Sequence, residues 1–402
     1  MKYLLIVGDG MSDYPVDALK GKTPLQVADK PNMDELASKG RSGILRTIPE
    51  GMESGSDIAN LSILGYNPKK FYTGRGPLEA ASRGIPLGKD DIAFRCNLIT
   101  EENGILTDYS ADHITNNEAE ELMNYVGKNL GKPGKIDFHV GVSYRHLLIL
   151  KGKTYSNEVL CTPPHDVVGA KISDVLPKAK SPAAEPVAAM LNKMILDSKK
   201  LLDKHPVNAK RIANGKRPGN MIWPWGQGKK PNMPTLQKRY GISGAVISAV
   251  DLIKGIGACA GMEIINVPGA TGFYDTNYEG KADYALRALE KHDMAFVHVE
   301  APDEAGHSGD YKQKIRSIED LDKRLIGRLL DGLNQECAIA ILPDHATPIS
   351  VRTHTKDPVP FTICSPFIKP DKVKCFDEVS AKKGGFGFLE GEELMPLFVV
   401  AR

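Results

Sequence analysis

Three apolar runs in this chain each end in an acid or an imidazole, and that grammar narrows the possible folds more than anything else. YLLIV (residues 3–7) runs into Gly8-Asp9, MAFV (294–297) into HVEAPDEAGH, and AIAIL (338–342) into Pro343-Asp344-His345. Each run is apolar on both faces. A strand of that kind needs cover on both sides, which is the setting of a helix-flanked parallel sheet. Ligands of open α/β sheets sit beyond the carboxyl ends of the strands, where these polar residues fall.

The rest of the chain agrees with an α/β class. Helices are expected at 32–39, 58–64, 245–253, 282–291 and 314–333, and a further strand at 264–267. Strands alternating with helices predict a mostly parallel sheet with helices on both faces. The middle reads differently, with longer mixed-face strands at 92–99 and 138–150 and amphipathic helices at 118–130 and 186–204. A chain of 402 residues is also long for one core. The expected organisation is a discontinuous domain, 1–85 with 216–402, carrying an inserted α+β domain at 86–215.

Formal net charge is +2 and no dense basic block stands out, so composition offers nothing to nucleic acid or an acidic membrane. The most basic segment, AKRIANGKRPGN (209–220), reads as a solvated face or linker. Six scattered cysteines without a CxxC, no signal-peptide pattern and no membrane-spanning run point to a cytoplasmic protein with reduced thiols. No Walker-type motif occurs. GIGACAG (255–261) follows a helix rather than a strand and reads as a helix stop and turn.

Asp9, Asp303, His307, Asp344 and His345 lie at the three strand ends, and His354 one loop further on. Carboxylate and imidazole together suit Mn²⁺ or Zn²⁺. Asp303 and His307 are four apart, one helical turn, so both can face one ion. Six such ligands exceed one tetrahedral site and suffice for two ions, an arrangement suited to phosphoryl transfer. His298, Glu300, Glu304 and Asp310 read as supporting groups. In ESGSDIANLSILG, Ser56 stands at a probable helix start, where capping and nucleophilic roles compete and a di-metal site favours the nucleophile. Ser54 is the alternative.

Together, VGDGMSD, ESGSDIANLSILGY, NMIWPWGQG, VPGATGFYDTNYEGKA, HVEAPDEAGHSGD, PDHATP and THTKDPVPF resemble the archaeal-type, cofactor-independent phosphoglycerate mutases of the alkaline phosphatase superfamily. The resemblance implies an alkaline-phosphatase-like metal domain with an inserted substrate-clamping domain. It implies two divalent ions, Mn²⁺ being usual and Zn²⁺, Co²⁺ or Mg²⁺ alternatives. Asp9, Ser56, Asp344 and His345 would hold one ion, and Asp303, His307 and His354 the other. Ser56 would carry the phosphoryl group between the 3- and 2-oxygens of glycerate. Arg75, Arg83, Arg95, Arg145 and Lys281 are the candidate cations for this small phosphorylated hydroxy acid. A homoserine kinase-like phosphotransferase on the same scaffold is the alternative. Oligomeric state is not legible.

Overall fold

The computed structural model describes residues 1–400. The chain begins with strand β1 (Lys2–Gly8), helix α1 (Pro31–Lys39), strand β2 (Arg41–Arg46) and helix α2 (Ser56–Ile63). A second group follows: α3 (Arg75–Ser82), β3 (Ile92–Glu102), β4 (Ile105–Asp108), α4 (Asn116–Leu130), β5 (Ile136–Val142), β6 (Arg145–Leu150), α5 (Glu185–Leu202) and β7 (Met221–Lys229). The remainder holds β8 (Gly244–Ile247), α6 (Asp251–Cys259), β9 (Glu263–Ile265), α7 (Tyr278–Lys291), β10 (Met294–Val299) and α8 (Ala301–Ser308). It ends with α9 (Tyr311–Asp320), β11 (Cys337–Leu342), β12 (Val359–Cys364), β13 (Gly387–Glu390) and α10 (Leu394–Val400).

Two units result. One combines Met1–Tyr72 with the chain from Asn232 onward, and the other is Thr73–Pro231. The second unit is wider at both ends than the expected 86–215. The reason is β7, which pairs antiparallel with β3, and α3, whose Gly76 packs against the Ala93 backbone of the same strand.

The first unit is built on an eight-stranded sheet ordered β9-β8-β10-β1-β11-β12-β2-β13. The five strands from β9 to β11 are parallel, and β12 is antiparallel to both neighbours. β1 lies between β10 and β11, with Gly8 opposite Val299 and Val7 opposite Leu342. The three acid-ended runs are therefore adjacent and end level. Both faces are covered. Leu4 and Ile6 pack with Met33 and Leu36 of α1 and Ala282 of α7. On the other face Tyr3 meets Phe398 edge-on at 5.5 Å, and Gly257 of α6 lets that helix approach Val246. Burying each such aliphatic side chain contributes about 1.5–3 kcal/mol.

The second unit has an antiparallel sheet ordered β4-β3-β6-β5, with β7 on β3. Phe94, Leu148 and Ile222 face a core shared with Leu122 of α4 and Leu191 of α5.

Several expectations need correction. The predicted helix 245–253 is strand β8 followed by α6, because GAVI is a short, fully buried run that periodicity cannot assign. Residues 138–150 form a hairpin rather than one strand, turning at Ser143 with φ 53°. The helix 314–333 changes to wider, π-type turns at Leu321–Gly327. Gly255 and Gly257 lie within α6, not after it. The basic segment 209–220 is not simply solvated: buried Arg211 bonds Glu118 and the carbonyls of Ala111 and Arg217.

Candidate active site

Asp9 follows β1, and its amide extends the ladder by donating to the Val299 carbonyl at 2.9 Å. Asp303 and His307 lie on α8, which begins directly after β10. Asp344 and His345 follow β11. The end-level register brings these side chains together although the sequence scatters them. Gly10 allows the approach: its φ is +60°, and a Cβ there would collide with Asp303 and with the Thr347 hydroxyl. Gly306 similarly admits the Thr347 carbonyl against α8.

Ser56 is the first residue of α2, not its cap, because Gly55 holds the cap position without a side-chain bond. Ser56 Oγ is free of the capping role and lies 3.1 Å from His345 Nε2. Asn60, one turn on, donates to both the Ser56 carbonyl and Asp344 Oδ2 at 2.8 Å, which ties α2 to the β11 loop. Ser54 is engaged elsewhere, donating to the His354 carbonyl at 3.1 Å.

Carboxylates and imidazoles crowd at this edge. His345 Nε2 is 3.3 Å from Asp9 Oδ1 and 3.6 Å from Asp344 Oδ2. His307 Nε2 is 3.1 Å from Asp303 Oδ2, and His354 Nε2 is 3.5 Å from Asp303 Oδ1. Asp303, His345 and His354 each offer a donor atom within 4.8 Å of the others, as do Asp9, His298 and Asp344, and Asp9, Glu300 and Asp303. Asp9 Oδ1 and His298 Nε2 are buried without a hydrogen-bond partner.

The hydrogen bonds fix where the imidazole lone pairs point. Thr347 donates its hydroxyl proton to Asp303, so its oxygen can only accept from His345 Nδ1, 3.2 Å away. That leaves the His345 Nε2 lone pair facing Ser56, Asp9 and Asp344. His307 Nδ1 donates to the Arg352 carbonyl at 3.0 Å, so the Nε2 lone pair of its neutral form faces Asp303 and His354. Two imidazole Nε2 atoms, of His307 and His354, stand 3.0 Å apart. Convergent lone pairs and carboxylates of this kind are a donor set that a divalent cation fits.

In the absence of a cation, the crowded groups shift one another's protonation. Burial, then the neighbouring Asp344, Asp303 and Glu300, raise Asp9 well above the usual carboxylate range. Burial and Asp303 push Glu300 up to about 8. Burial opposes the ionisation of Asp303, yet hydrogen bonds from His307 and His354 hold it well below the ordinary value. The bond to Asp303 lifts His307 to about 9, whereas burial lowers His345.

The sequence profile of the 2,3-bisphosphoglycerate-independent phosphoglycerate mutases matches residues 37–208. The 2,3-bisphosphoglycerate-independent phosphoglycerate mutase 2 of Methanothermobacter thermautotrophicus is 52% identical over 400 residues, 99% of this chain and 97% of its own. The chain belongs to this mutase family. Among solved structures, the cofactor-independent phosphoglycerate mutase of Thermoplasma acidophilum is 28% identical, with a TM-score of 0.70 and full coverage of both chains. A protein of Pyrococcus horikoshii is 33% identical, with a TM-score of 0.85 over 100% of this chain and 97% of that one.

In this phosphoglycerate mutase family member the candidate cations divide into three places. Arg75 and Arg145 are each close enough to Arg95 to disfavour its charge. Arg95 stacks on Trp225 at 4.5 Å, Arg75 lies 5.9 Å from the same ring, and Arg95 is paired with Glu79 at 2.9 Å. Arg83 lies beside Gly141, which also abuts the Arg145 carbonyl, and near His139 and His146. Lys281 is buried in α7 and donates to the His298 carbonyl at 3.0 Å, far from a surface role. His298 and Glu300, read as supporting groups, stand within the ligand clusters. Asp310 caps α9, accepting from the Lys312 and Gln313 amides. Thr347 was not singled out from the sequence. Its only local sign is a hydroxyl two residues beyond His345.

Proposed function

We propose that the chain interconverts 3-phosphoglycerate and 2-phosphoglycerate through a phosphorylated Ser56. The observation that carries this reading is Ser56 Oγ at 3.1 Å from His345 Nε2, beside the carboxylate and imidazole donor set. Two divalent cations are assigned to that set, one to Asp9, Ser56, Asp344 and His345, the other to Asp303, His307 and His354. Mn²⁺ suits mixed carboxylate and imidazole ligands, with Zn²⁺, Co²⁺ and Mg²⁺ as substitutes. When bound, the cations neutralise phosphoryl oxygens and ease deprotonation of the serine hydroxyl.

In the first half-reaction Ser56 Oγ bonds to phosphorus as the bond from phosphorus to the 3-oxygen breaks. The serine proton passes to the glycerate 3-oxygen. In the second half the 2-hydroxyl bonds to phosphorus, the Oγ–phosphorus bond breaks, and the hydroxyl proton returns to Oγ. The start of α2, where Ser56 stands, is assigned to the incoming phosphate, because helix N-termini favour anions. Arg75, Arg95 and Arg145 of the second unit are assigned to the glycerate carboxylate, because guanidinium pairs bidentately with carboxylate. Lys281 is assigned a supporting place behind His298. A cytoplasmic setting accords with six cysteines, none of them in a disulfide among the described residues.

Phosphorus NMR of the protein with Mn²⁺ and 3-phosphoglycerate tests the reading. A 2-phosphoglycerate signal is expected without added bisphosphoglycerate. Turnover only with ATP and homoserine would replace it by a kinase reading.

A further inference from the structure

Lys314 and Asp13 form an ion pair with no solvent access to either side chain, outside the ligand set. Lys314 Nζ lies 2.7 Å from Asp13 Oδ2, 3.0 Å from the Ser12 carbonyl and 2.9 Å from the Thr347 carbonyl. All three ammonium protons are therefore used. Asp13 in turn accepts from the Ile349 amide at 3.2 Å and donates its own amide to Glu378 at 3.0 Å. A buried ion pair is poor explanation for net stability, since its desolvation often cancels its attraction. This pair instead joins the two loops that carry candidate ligands, after β1 and after β11, to α9, which follows the ligand-bearing α8.

The link reaches the site through one residue. The Thr347 carbonyl is held by Lys314 and packs against Gly306 of α8. The Thr347 hydroxyl binds Asp303 and meets His345 Nδ1. We propose that the Lys314–Asp13 pair is a positioning device that sets Thr347 and, through it, the orientation of Asp303 and His345. Lys314 touches no reacting atom and is not a catalytic residue. The inference rests on the reading of Asp303 and His345 as metal ligands.

The test is Mn²⁺ titration of metal-stripped protein, followed by calorimetry well below the melting temperature. The double variant Lys314→Met with Asp13→Asn removes both charges and leaves neither partner buried alone. It is expected to melt cooperatively yet bind Mn²⁺ about 10–100-fold more weakly than wild type, the usual effect of losing an outer partner of a ligand. A lower melting temperature with unchanged affinity would show a merely structural pair and overturn the proposal. If the double variant does not fold, Thr347→Val keeps the backbone carbonyl and removes the hydroxyl. The same loss of affinity is then expected, and unchanged affinity overturns the proposal. Failure of the wild type itself to take up Mn²⁺ would overturn the ligand reading and this inference with it.

Discussion

Ser56 Oγ lies 3.1 Å from Nε2 of His345, and that nitrogen holds a lone pair because Nδ1 is committed to Thr347. The hydroxyl makes no capping bond, so its removal takes little from the fold. Ser56→Ala is expected to stay within about 1 kcal/mol of wild-type stability. It should lower mutase turnover by at least about 10³-fold. Wild-type protein quenched during turnover should yield a phosphopeptide containing Ser56. Ser54→Ala, which loses one bond to the His354 carbonyl, should remain active. Activity in Ser56→Ala with loss in Ser54→Ala would move the nucleophile by two residues.

The crowding of Asp9, Asp303, Asp344 and Glu300 predicts dependence on cations. Chelation should abolish activity and Mn²⁺ should restore it. His307→Ala removes a lone pair aimed at Asp303 and His354, so metal analysis should find about one ion fewer per chain. Full activity in protein shown to be metal-free would refute the two-ion assignment.

Much of this site was readable in advance because it follows strand grammar. Acid and imidazole at the ends of continuous apolar runs must gather if the runs are parallel neighbours, and β10, β1 and β11 are. What sequence could not reveal is contact between distant loops. Thr347 is an ordinary residue until its hydroxyl is seen on Asp303, and Lys314 reads as the polar face of a helix until its amine is found beneath Ser12. His298 reads as a supporting group, and its Nε2 lies 3.2 Å from Asp9 Oδ2. The error at 245–253 has a different origin. Alanine and β-branched residues in a run of four satisfy either a buried strand or a helix turn, and only pairing with β10 decides it.

The arginine assignments separate by position. Arg145 is exposed and lies 5.4 Å from the Tyr144 ring, so Arg145→Ala removes charge without stranding a buried partner. It should raise KM for 3-phosphoglycerate by about tenfold or more, the value of one charge-assisted hydrogen bond, with less effect on kcat. Arg95→Ala is a poorer test, because it also breaks the ion pair with Glu79. An unchanged KM in Arg145→Ala would count against the carboxylate assignment.

His146 gives a pH prediction away from the metal cluster. Its ring is fully buried, and Nδ1 accepts from the Gly141 amide at 2.9 Å. Burial, aided by Arg83, pushes its pKa down to about 3. The ordinary imidazole value is about 6.5, so the unfolded chain binds this proton more readily than the folded one. Stability from this group is therefore complete above about pH 6.5 and is lost as pH falls toward about 3. By about pH 5 the loss should be on the order of 2 kcal/mol. Denaturant unfolding followed in the second unit should show that decline in wild type. His146→Asn should start less stable at neutral pH, since it disturbs a packed site, but its stability should fall less steeply on acidification. Parallel pH profiles for the two proteins would mean that His146 is not the group that titrates.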